Sequence, residues 1–554
     1  MCIRDRSQND KKHNRLYRIS ERGFELVHKG YARSLAVVLT HPQLTLVITL
    51  VTIGVSVYLY IIVPKGFFPQ QDTGQIGGNI QADQDISFTA MREKLRAFLS
   101  VVEKDPAVDN VMGFTGGGTL NTANMWMQLK PLAERKVSAD DVINRLRGKL
   151  ARIPGATLFL MAAQDLRIGG RGSNSQYQFT LQADNLKDLN EWAPKLLTKL
   201  KSVPIILDAN SDQQIHGLES QLVIDRETAS RMGVNPQLVD ATLYTAFGQR
   251  QVSTMYTGMN QYHVVMELLP EYQQNPSALN SVYVPSTTGT PVPLSTFTHF
   301  RTVLNSLTVN HQGPFPSITI SFALAPGIAL SQAVDAVQQA QQEIGMPANV
   351  IAKFAGTAQV FQASLKNQPV LILAALLAVY VVLGILYESY IHPITILSTL
   401  PSAGVGALLA LLLFKVELTV IAIIGIILLI GIVKKNAILM IDFALETERK
   451  HGISPKNAIY QACLLRFRPI MMTTMAALLG GLPLALGTGT GSEMRRPLGI
   501  TIVGGLILSQ ALTLYTTPVV YLYLDRLQNW FGRKKQLSPR LQTMMTDVEA
   551  EGAY

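Results

Sequence analysis

Six long apolar stretches divide the chain, one near its start and five in its last third. They lie at residues 44–63, 370–387, 394–414, 418–444, 469–486 and 498–524. A helix of about 20 residues crosses the hydrocarbon layer of a membrane, which is about 30 Å thick. The pattern therefore predicts six transmembrane helices, with about 300 residues outside the membrane between the first and the second.

The region between the first two spans alternates short β-type segments with longer helical ones. Its first part predicts strand, helix, strand, strand, helix and strand, at residues 75–82, 87–103, 110–114, 125–130, 138–151 and 156–162. This β-α-β-β-α-β order is that of a ferredoxin-like unit.

The same order begins again and is interrupted halfway. Its first half lies at residues 176–182, 186–200 and 206–209, and its second half at 317–324, 330–344 and 351–354. The insertion between them, residues 218–312, has its own predicted strands at 219–225 and 262–268 and a helix at 236–247. The predicted fold class is an α+β membrane protein with six transmembrane helices and two ferredoxin-like units, the second with an insertion.

Composition agrees with a membrane protein that has a large extramembrane part. Of 554 residues, 48% are hydrophobic and 16% are charged. The net charge of +10 does not indicate a nucleic-acid partner, because the basic residues concentrate beside the apolar segments. The two cysteines, Cys2 and Cys463, lie far apart, so a disulfide framework is not expected.

The basic residues also predict the orientation of the chain. Residues 15–33 read as a basic amphipathic helix on a membrane face, and the connection 446–468 is basic as well. Because basic segments stay on the cytoplasmic side, we expect both termini in the cytoplasm and the large region in the periplasm of a Gram-negative cell.

Two lysines interrupt the apolar stretch of the fourth span. Lys434 and Lys435 lie in a segment with no other charge from Leu418 to Ile441. A cation near the middle of a bilayer costs about 2.5 to 3.5 kcal/mol on insertion scales, so it needs a partner or a water-filled path. The alternative is a lysine that extends along a tilted helix towards the membrane surface.

Five segments together resemble the resistance-nodulation-division (RND) transporters, in their hydrophobe/amphiphile efflux branch. These segments are residues 67–74, 244–250, 384–389, 431–438 (Gly-Ile-Val-Lys-Lys-Asn-Ala-Ile) and 466–473 (Arg-Phe-Arg-Pro-Ile-Met-Met-Thr). The likeness extends over nearly the whole chain but only to the C-terminal half of a complete family member, which has twelve spans. The resemblance implies that an N-terminal half with six spans is missing, either because the record is truncated or because that half is a separate chain.

The resemblance also implies a proton relay. Lys435 would pair with two aspartates of the missing half, and Arg466 and Thr473 would extend the proton path from the cytoplasm. Arg466 and Thr473 lie seven residues apart, on one helix face. Asp442 shares a face with Lys435, which makes it a candidate for the local counter-ion of that lysine. The alternatives are a membrane-surface anchor for Arg466, an ordinary helical hydroxyl for Thr473 and a cytoplasmic helix cap for Asp442.

In the periplasmic part, residues 112–120 join two predicted strands and resemble the family's switch loop between two drug pockets. Gly116, Gly117 and Gly118 make the connection adaptable. Met112, Phe114 and Trp126 suit a promiscuous apolar pocket, and their alternative is plain sheet core. No phosphate-binding, zinc or Ser-His-Asp pattern accompanies them, so we expect neither an enzyme nor a cofactor.

The expected function is proton-driven multidrug efflux within a trimer of like or paralogous subunits, with a periplasmic adaptor, an outer-membrane channel and amphiphilic substrates. The alternatives are a non-transporting docking subunit and an export or lipid-handling relative on the same fold. The expected parts are a basic segment (1–42), the first span (43–63), two porter subdomains (64–174; 175–217 with 313–362), a docking insertion (218–312), a five-helix region (368–526) and a tail (527–554).

Overall fold

The computed structural model describes residues 15–116, 118–166 and 168–533. It begins with two helices, α1 (Arg15–Thr40) and α2 (Pro42–Ile62), which meet at His41. Pro42 suits the first turn of α2, because the missing N–H of a proline would have no partner there. α2 is the first of the helices that are long and apolar enough to cross a membrane.

The first soluble unit follows α2 and contains a four-stranded antiparallel sheet. Its elements are β1 (Gln75–Ala82), α3 (Phe88–Val102), β2 (Val108–Thr115), β3 (Thr122–Leu129), the short α4 (Leu132–Arg135), α5 (Ala139–Leu150) and β4 (Ala156–Ala162). The strands are ordered β2-β3-β1-β4. Apart from α4, which the sequence did not predict, the observed order β-α-β-β-α-β is the predicted one.

Helices α3 and α5 cover one face of this sheet. Ser87 and Ser138 accept hydrogen bonds from the first turns of the two helices, which fixes where each begins. Met91 and Phe98 of α3 and Leu146 of α5 are fully buried against the sheet. The opposite face carries no helix of this unit and is therefore free to form a surface.

The second unit is built in the same way around an insertion. In chain order its elements are β5 (Tyr177–Gln182), α6 (Leu186–Lys201), β6 (Ile206–Ser211), then within the insertion β7 (Gly217–Ile224), α7 (Arg226–Arg231), α8 (Pro236–Phe247), β8 (Arg250–Tyr256), β9 (Gln261–Met266), β10 (Tyr283–Pro285), β11 (Pro291–Pro293), β12 (Thr298–Asn305) and β13 (His311–Gln312), and finally β14 (Phe315–Leu324), α9 (Leu330–Glu343) and β15 (Ile351–Ala355). The order β6-β14-β5-β15 repeats that of the first sheet.

Six further helices follow within the described residues, which end at 533. They are α10 (Thr357–Tyr387), α11 (His392–Leu397), α12 (Leu400–Leu413), α13 (Val420–His451), α14 (Pro455–Leu486) and α15 (Ser492–Arg533). With α11 and α12 counted as one span, the described residues contain six helices long and apolar enough to cross a membrane, as predicted. Small residues bring α12 and α15 together, since a side chain on Gly406 would meet the Gly504 carbonyl oxygen at 2.6 Å.

The turn between α12 and α13 is tied to the start of the soluble region. Leu418 N–H donates to the Pro64 carbonyl at 2.8 Å, and Val420 N–H donates to the Phe67 carbonyl at 3.1 Å. Ser331 N–H, at the start of α9, donates to the Lys65 carbonyl at 3.2 Å. Backbone hydrogen bonds therefore connect the beginning of α13 to the second soluble unit through residues 64–67.

One predicted connection is shorter in the structure. Strand β2 continues to Thr115 and β3 begins at Thr122, so the loop comprises residues 116–121 and not 112–120. Met112 and Phe114 belong to the strand, because pairing with β3 continues through Thr115 and Ala123.

Candidate functional site

Lys435 lies on the outer side of the helix bundle. It is 15 residues beyond the start of α13, about 23 Å along the helix at 1.5 Å per residue. It continues a stripe of exposed residues along α13, which we call the outer stripe: Ile424, Leu428, Gly431, Lys435, Asp442 and Glu446. Within the described chain, Lys435 forms neither a hydrogen bond nor an ion pair. The lysine is therefore a mid-helix cation with no partner in residues 15–116, 118–166 and 168–533.

Asp442 shares the outer stripe with Lys435, as its spacing predicts. No ion pair joins the two side chains in the described residues, and Asp442 is exposed. Lys434, one position before Lys435, is half-buried and takes part in no ion pair of the described structure. The proposed counter-ion role of Asp442 is therefore not realised in this conformation.

Asn436, the residue after Lys435, faces the interior of the bundle and is 6% exposed. Its Nδ2 donates to Thr474 Oγ1 of α14 at 2.9 Å and to Gln510 Oε1 of α15 at 3.1 Å. Thr474 Oγ1 donates to the same Gln510 oxygen at 2.7 Å, which closes the ring. We call these three residues the amide ring. Sequence reasoning missed them because they come from three helices, although a polar Asn436 in an apolar stretch was a signal.

Arg466 and Thr473 lie on one flank of α14. The guanidinium carbon of Arg466 is 4.9 Å from the centre of the Phe443 ring on α13, an arrangement that stabilises a cation by its attraction to the ring face. Its buried Nε has no hydrogen-bond partner in the described chain. Thr473 Oγ1 donates to the Ile470 carbonyl of its own helix at 3.1 Å. Arg466 thus retains an unused donor beside α13.

Helix α1 packs against α14 next to Arg466. The rings of Tyr31 and Phe467 stack with their centres 4.7 Å apart, and the Tyr31 hydroxyl donates to the Leu514 carbonyl at 3.0 Å. Arg468 forms an ion pair with Glu21 at 3.1 Å. The predicted amphipathic helix is therefore part of the bundle and not only a surface segment.

On the first soluble unit, three apolar side chains lie on the uncovered face of the sheet. Met112 is 68% exposed, Phe114 is 50% exposed and Trp126 is 46% exposed. Met112 and Trp126 are cross-strand neighbours, and the rings of Phe114 and Trp126 stack with centres 5.2 Å apart. We call these three residues the aromatic face. The alternative that they form sheet core is wrong, because the core lies on the opposite side of the sheet.

The strand beside the aromatic face lacks a side chain at Gly77. Gly77 pairs with both Trp126 and Met161, so the row across the sheet lacks a side chain between two large apolar ones. The neighbouring row carries the amides of Asn124 and Asn79. Apolar surface with a few amide groups is a common composition of binding sites for amphiphiles.

The glycines of the adjoining loop differ in their surroundings. Gly116 has φ +93°, a conformation that favours glycine, and a side chain there would meet the Phe88 ring at 3.3 Å. Gly118 has open space around it. Gly117 lies outside the described residues. The loop therefore begins at Gly116, where any residue with a side chain would adopt a strained backbone conformation.

A cavity of about 390 Å³ lies where the soluble units meet the membrane helices. Phe67, Tyr177, Glu417 and Asp140 are among the residues that line it. Burial raises the pKa of Glu417 to about 7, and burial, with the nearby Asp72 charge, raises the pKa of Asp140. In the described structure Glu417 forms no ion pair, so its charge is poorly compensated at neutral pH.

Taken together, these features define a membrane protein whose helical bundle carries charged groups and whose first soluble unit exposes an apolar face. The chain belongs to the AcrB/AcrD/AcrF family, whose model matches residues 3–525. The RND resemblance is therefore confirmed. The quoted motifs further predict a likeness to the MdtC kind of subunit, with the MdtB kind next.

The MdtC likeness is also confirmed. The chain is 57% identical over 505 residues to the multidrug resistance protein MdtC of Cronobacter sakazakii, a match that covers 91% of this chain and 49% of the relative. It is 58% identical over 513 residues to the MdtC of Serratia proteamaculans, covering 93% of this chain and 50% of the relative. The chain spans about half the length of the curated relatives it matches.

A solved structure has the same fold. The crystal structure of a heavy metal efflux pump superposes with a TM-score of 0.81 at 22% identity, covering 91% of this chain and 53% of that one. At this identity the match shows the arrangement of helices and strands and not the transported molecule.

Proposed function

We propose that this chain works as the C-terminal half of a proton-motive-force-driven multidrug efflux permease, a drug/proton antiporter of a tripartite Gram-negative system. The observation that carries the proposal is the position of Lys435, a mid-helix cation on the outer stripe that has no partner among the described residues. The name of the MdtC relatives, multidrug resistance protein, supports the class of molecule that is transported.

The exposed lysine argues for a further set of helices against the outer stripe. A cation in the middle of a bilayer costs about 2.5 to 3.5 kcal/mol, and a carboxylate brought by another segment would offset that cost. The length of the relatives leaves room for six more spans. An N-terminal half with paired aspartates, placed against the outer stripe, would complete the site.

In the proposed cycle, Lys435 pairs with these carboxylates while they are ionised and is released when they take up protons. A nearby negative charge stabilises the charged lysine, and its loss allows the helix to shift. A membrane potential supplies about 2.3 kcal/mol per elementary charge per 100 mV, enough to bias a two-state bundle. Arg466 and Thr473 would continue the path towards the cytoplasm, with Asp442 as an alternative partner of Lys435.

Movement of α13 would reach the soluble region through the turn that leads into this helix. Leu418 is hydrogen-bonded to Pro64, and Lys65 is hydrogen-bonded to Ser331 of α9. Because these are backbone contacts, a displacement of α13 would move the start of α9 as well. This connection supports coupling between protonation in the bundle and opening of the soluble units.

The aromatic face would form part of the drug pocket. Met112, Phe114 and Trp126 offer apolar and stacking contacts, which suit amphiphilic molecules of varied shape. Gly116, Gly117 and Gly118 would form the adaptable switch loop beside it. The broad chemistry of these contacts supports multidrug rather than single-substrate transport.

We further propose the assembly and location that the family implies. The chain would lie in the bacterial inner membrane with both termini in the cytoplasm and residues 64–362 in the periplasm. Residues 218–312 would dock onto a periplasmic adaptor and an outer-membrane channel. The exposed hairpin of β8 and β9 would contact the next subunit of a trimer, with like or paralogous neighbours.

Two alternatives make different predictions. A non-transporting docking subunit would tolerate loss of the charge at Lys435. An RND-fold export or lipid-handling relative would need Lys435 but not the aromatic face for small amphiphiles.

Reconstituted vesicles test the half-transporter proposal. We expect no proton-coupled drug efflux from vesicles with this 554-residue chain alone, and efflux when the other half of an MdtC relative is supplied as a second polypeptide. The matched control supplies that second polypeptide alone. Efflux by this chain alone would overturn the proposal, as would no efflux from the two halves after their co-purification.

A further inference from the structure

We infer that the amide ring of Asn436, Thr474 and Gln510 sets the rotation of α13 and thereby keeps Lys435 on the outer stripe. These three are positioning residues for the relay and do not themselves carry protons. The inference rests on the proposed function for its purpose, but the geometry and the test below are independent of transport.

The ring has a defined direction of donation. Asn436 Nδ2 donates to both Thr474 Oγ1, at 2.9 Å, and Gln510 Oε1, at 3.1 Å. Thr474 Oγ1 donates a hydrogen bond to the same Gln510 oxygen at 2.7 Å. Each of the three helices contributes one member, so a turn of any one helix breaks at least two of the three bonds.

Little else of a directional kind holds α13 in this part of the bundle. Over residues 420–440, the side-chain hydrogen bonds that α13 makes to other helices of the described structure are those of the ring and a weak contact from Cys463 to Met440. The neighbouring inward residues Val433 and Ala437 are apolar, and their packing depends on shape alone. The ring therefore supplies the directional contacts at the depth of Lys435.

Rotation of the helix links the ring to the lysine. Consecutive residues on an α-helix are about 100° apart, so an inward Asn436 places Lys435 on the adjoining outer surface. Turning α13 by one residue would bring the lysine into the apolar interior and remove the amide from its partners. Both changes are unfavourable in a bilayer, where an unsatisfied polar group finds no water.

Disulfide trapping between α13 and α15 can measure this rotation. A Cβ on Gly425 would lie 3.3 Å from Thr501 Cβ, close to the separation of about 3.5 to 4.5 Å seen in disulfides. Gly425 is eleven residues before Asn436 and therefore on the same face. Ile424, which is 51% exposed, points away and provides the mismatched partner.

The experiment uses the full chain in membranes, with Cys2→Ala and Cys463→Ala as background. One protein carries Gly425→Cys with Thr501→Cys, and the other carries Ile424→Cys with Thr501→Cys. The measured quantity is the ratio of their oxidation rates. The ratio is the oxidation rate of the Gly425 pair divided by that of the Ile424 pair. We expect Gln510→Leu and Asn436→Leu to lower it by about threefold or more, because one hydrogen bond between membrane helices contributes about 0.6 kcal/mol.

Three further variants serve as a control, a second test and a rescue. The buried hydroxyl of Ser509 donates to the Leu506 carbonyl of its own helix. Ser509→Ala should therefore leave the ratio unchanged. Thr474→Val should lower the ratio, and Thr474→Ser should restore it, even if the leucine variants do not accumulate. An unchanged ratio in Thr474→Val, with parent-like membrane insertion, would overturn the inference. Because no transport is measured, this outcome would leave the proposed efflux function standing.

Discussion

Tyr31 of α1 stacks on Phe467 of α14, with ring centres 4.7 Å apart and planes inclined by 18°. Phe467 follows Arg466 directly, so this contact fixes the helix segment that carries the proposed relay arginine. A helix that the sequence places at the membrane surface is thus connected to the interior of the bundle. The contact is also one that mutation can test separately from transport.

We predict that Tyr31→Ala destabilises the chain and that Tyr31→Phe has a small effect. Tyr31 is 5% exposed, and replacing a buried aromatic residue by alanine typically costs about 3 to 5 kcal/mol. The phenylalanine retains the stack and loses one hydrogen bond. Thermal unfolding in detergent measures both. Leu26→Ala, at a 72% exposed position of the same helix, is the control. Equal melting temperatures for all three variants would contradict the packing role of α1.

The aromatic face should contribute to drug binding without contributing to folding. We predict that Phe114→Ala and Trp126→Ala each weaken the binding of a fluorescent amphiphile by about twofold to tenfold, the range expected for an aromatic contact. Fluorescence titration measures the dissociation constant. Met232→Ala removes a similarly exposed apolar side chain from the insertion and should bind as the parent does. Unaltered binding in the double variant Phe114→Ala, Trp126→Ala would exclude the aromatic face as a binding site for the amphiphile.

Glu417 should make stability depend on pH. Its pKa is raised from 4.5 to about 7, so the folded chain retains a proton that the unfolded chain loses between these values. Stability therefore falls as pH rises from 4.5 towards 7, because the ionised carboxylate is poorly compensated in the folded state. We predict that Glu417→Gln raises the melting temperature more at pH 8 than at pH 5. A constant difference across that range would contradict the assignment.

The hairpin of β8 and β9 should mediate contact between subunits. Tyr256 is 80% exposed and Met259 is 93% exposed. Apolar residues at such an exposed tip are expected where another protein covers them. We predict that Tyr256→Lys with Met259→Asp reduces the trimer fraction in chemical cross-linking of the assembled transporter. Leu304→Lys, at a 63% exposed position elsewhere in the insertion, should leave the trimer intact. Unreduced trimer in the hairpin variant would exclude this contact.

Local patterns in the sequence predicted most of the fold. The six spans, the repeated strand and helix order and the helix Pro236–Phe247 are confirmed, because each follows from a periodicity within one segment. The shortest strands of the insertion, β10, β11 and β13, were not predicted, since two or three residues are too few to show an alternation. The loop at 116–121 was placed too early because pairing with a neighbouring strand, and not local pattern, decides where β2 ends.

The site was predictable only in part. Lys435 stood out because a charge in an apolar stretch is visible in one helix alone. The ring of Asn436, Thr474 and Gln510 required knowledge of which helices meet. The exposure of Phe114 and Trp126 likewise depends on the side of the sheet that α3 and α5 cover. Sequence alone favoured core for each of these residues, whereas the structure places them on the surface.

Charge removal at Lys435 is the most direct test of the central claim. The measurement is proton-coupled drug efflux by the complete transporter in vesicles, comparing Lys435→Ala with Lys434→Ala, which removes the same charge one position away. The account predicts that Lys435→Ala abolishes efflux with normal membrane insertion, and that Lys434→Ala retains most of it. Efflux at the parent rate by Lys435→Ala would contradict the relay.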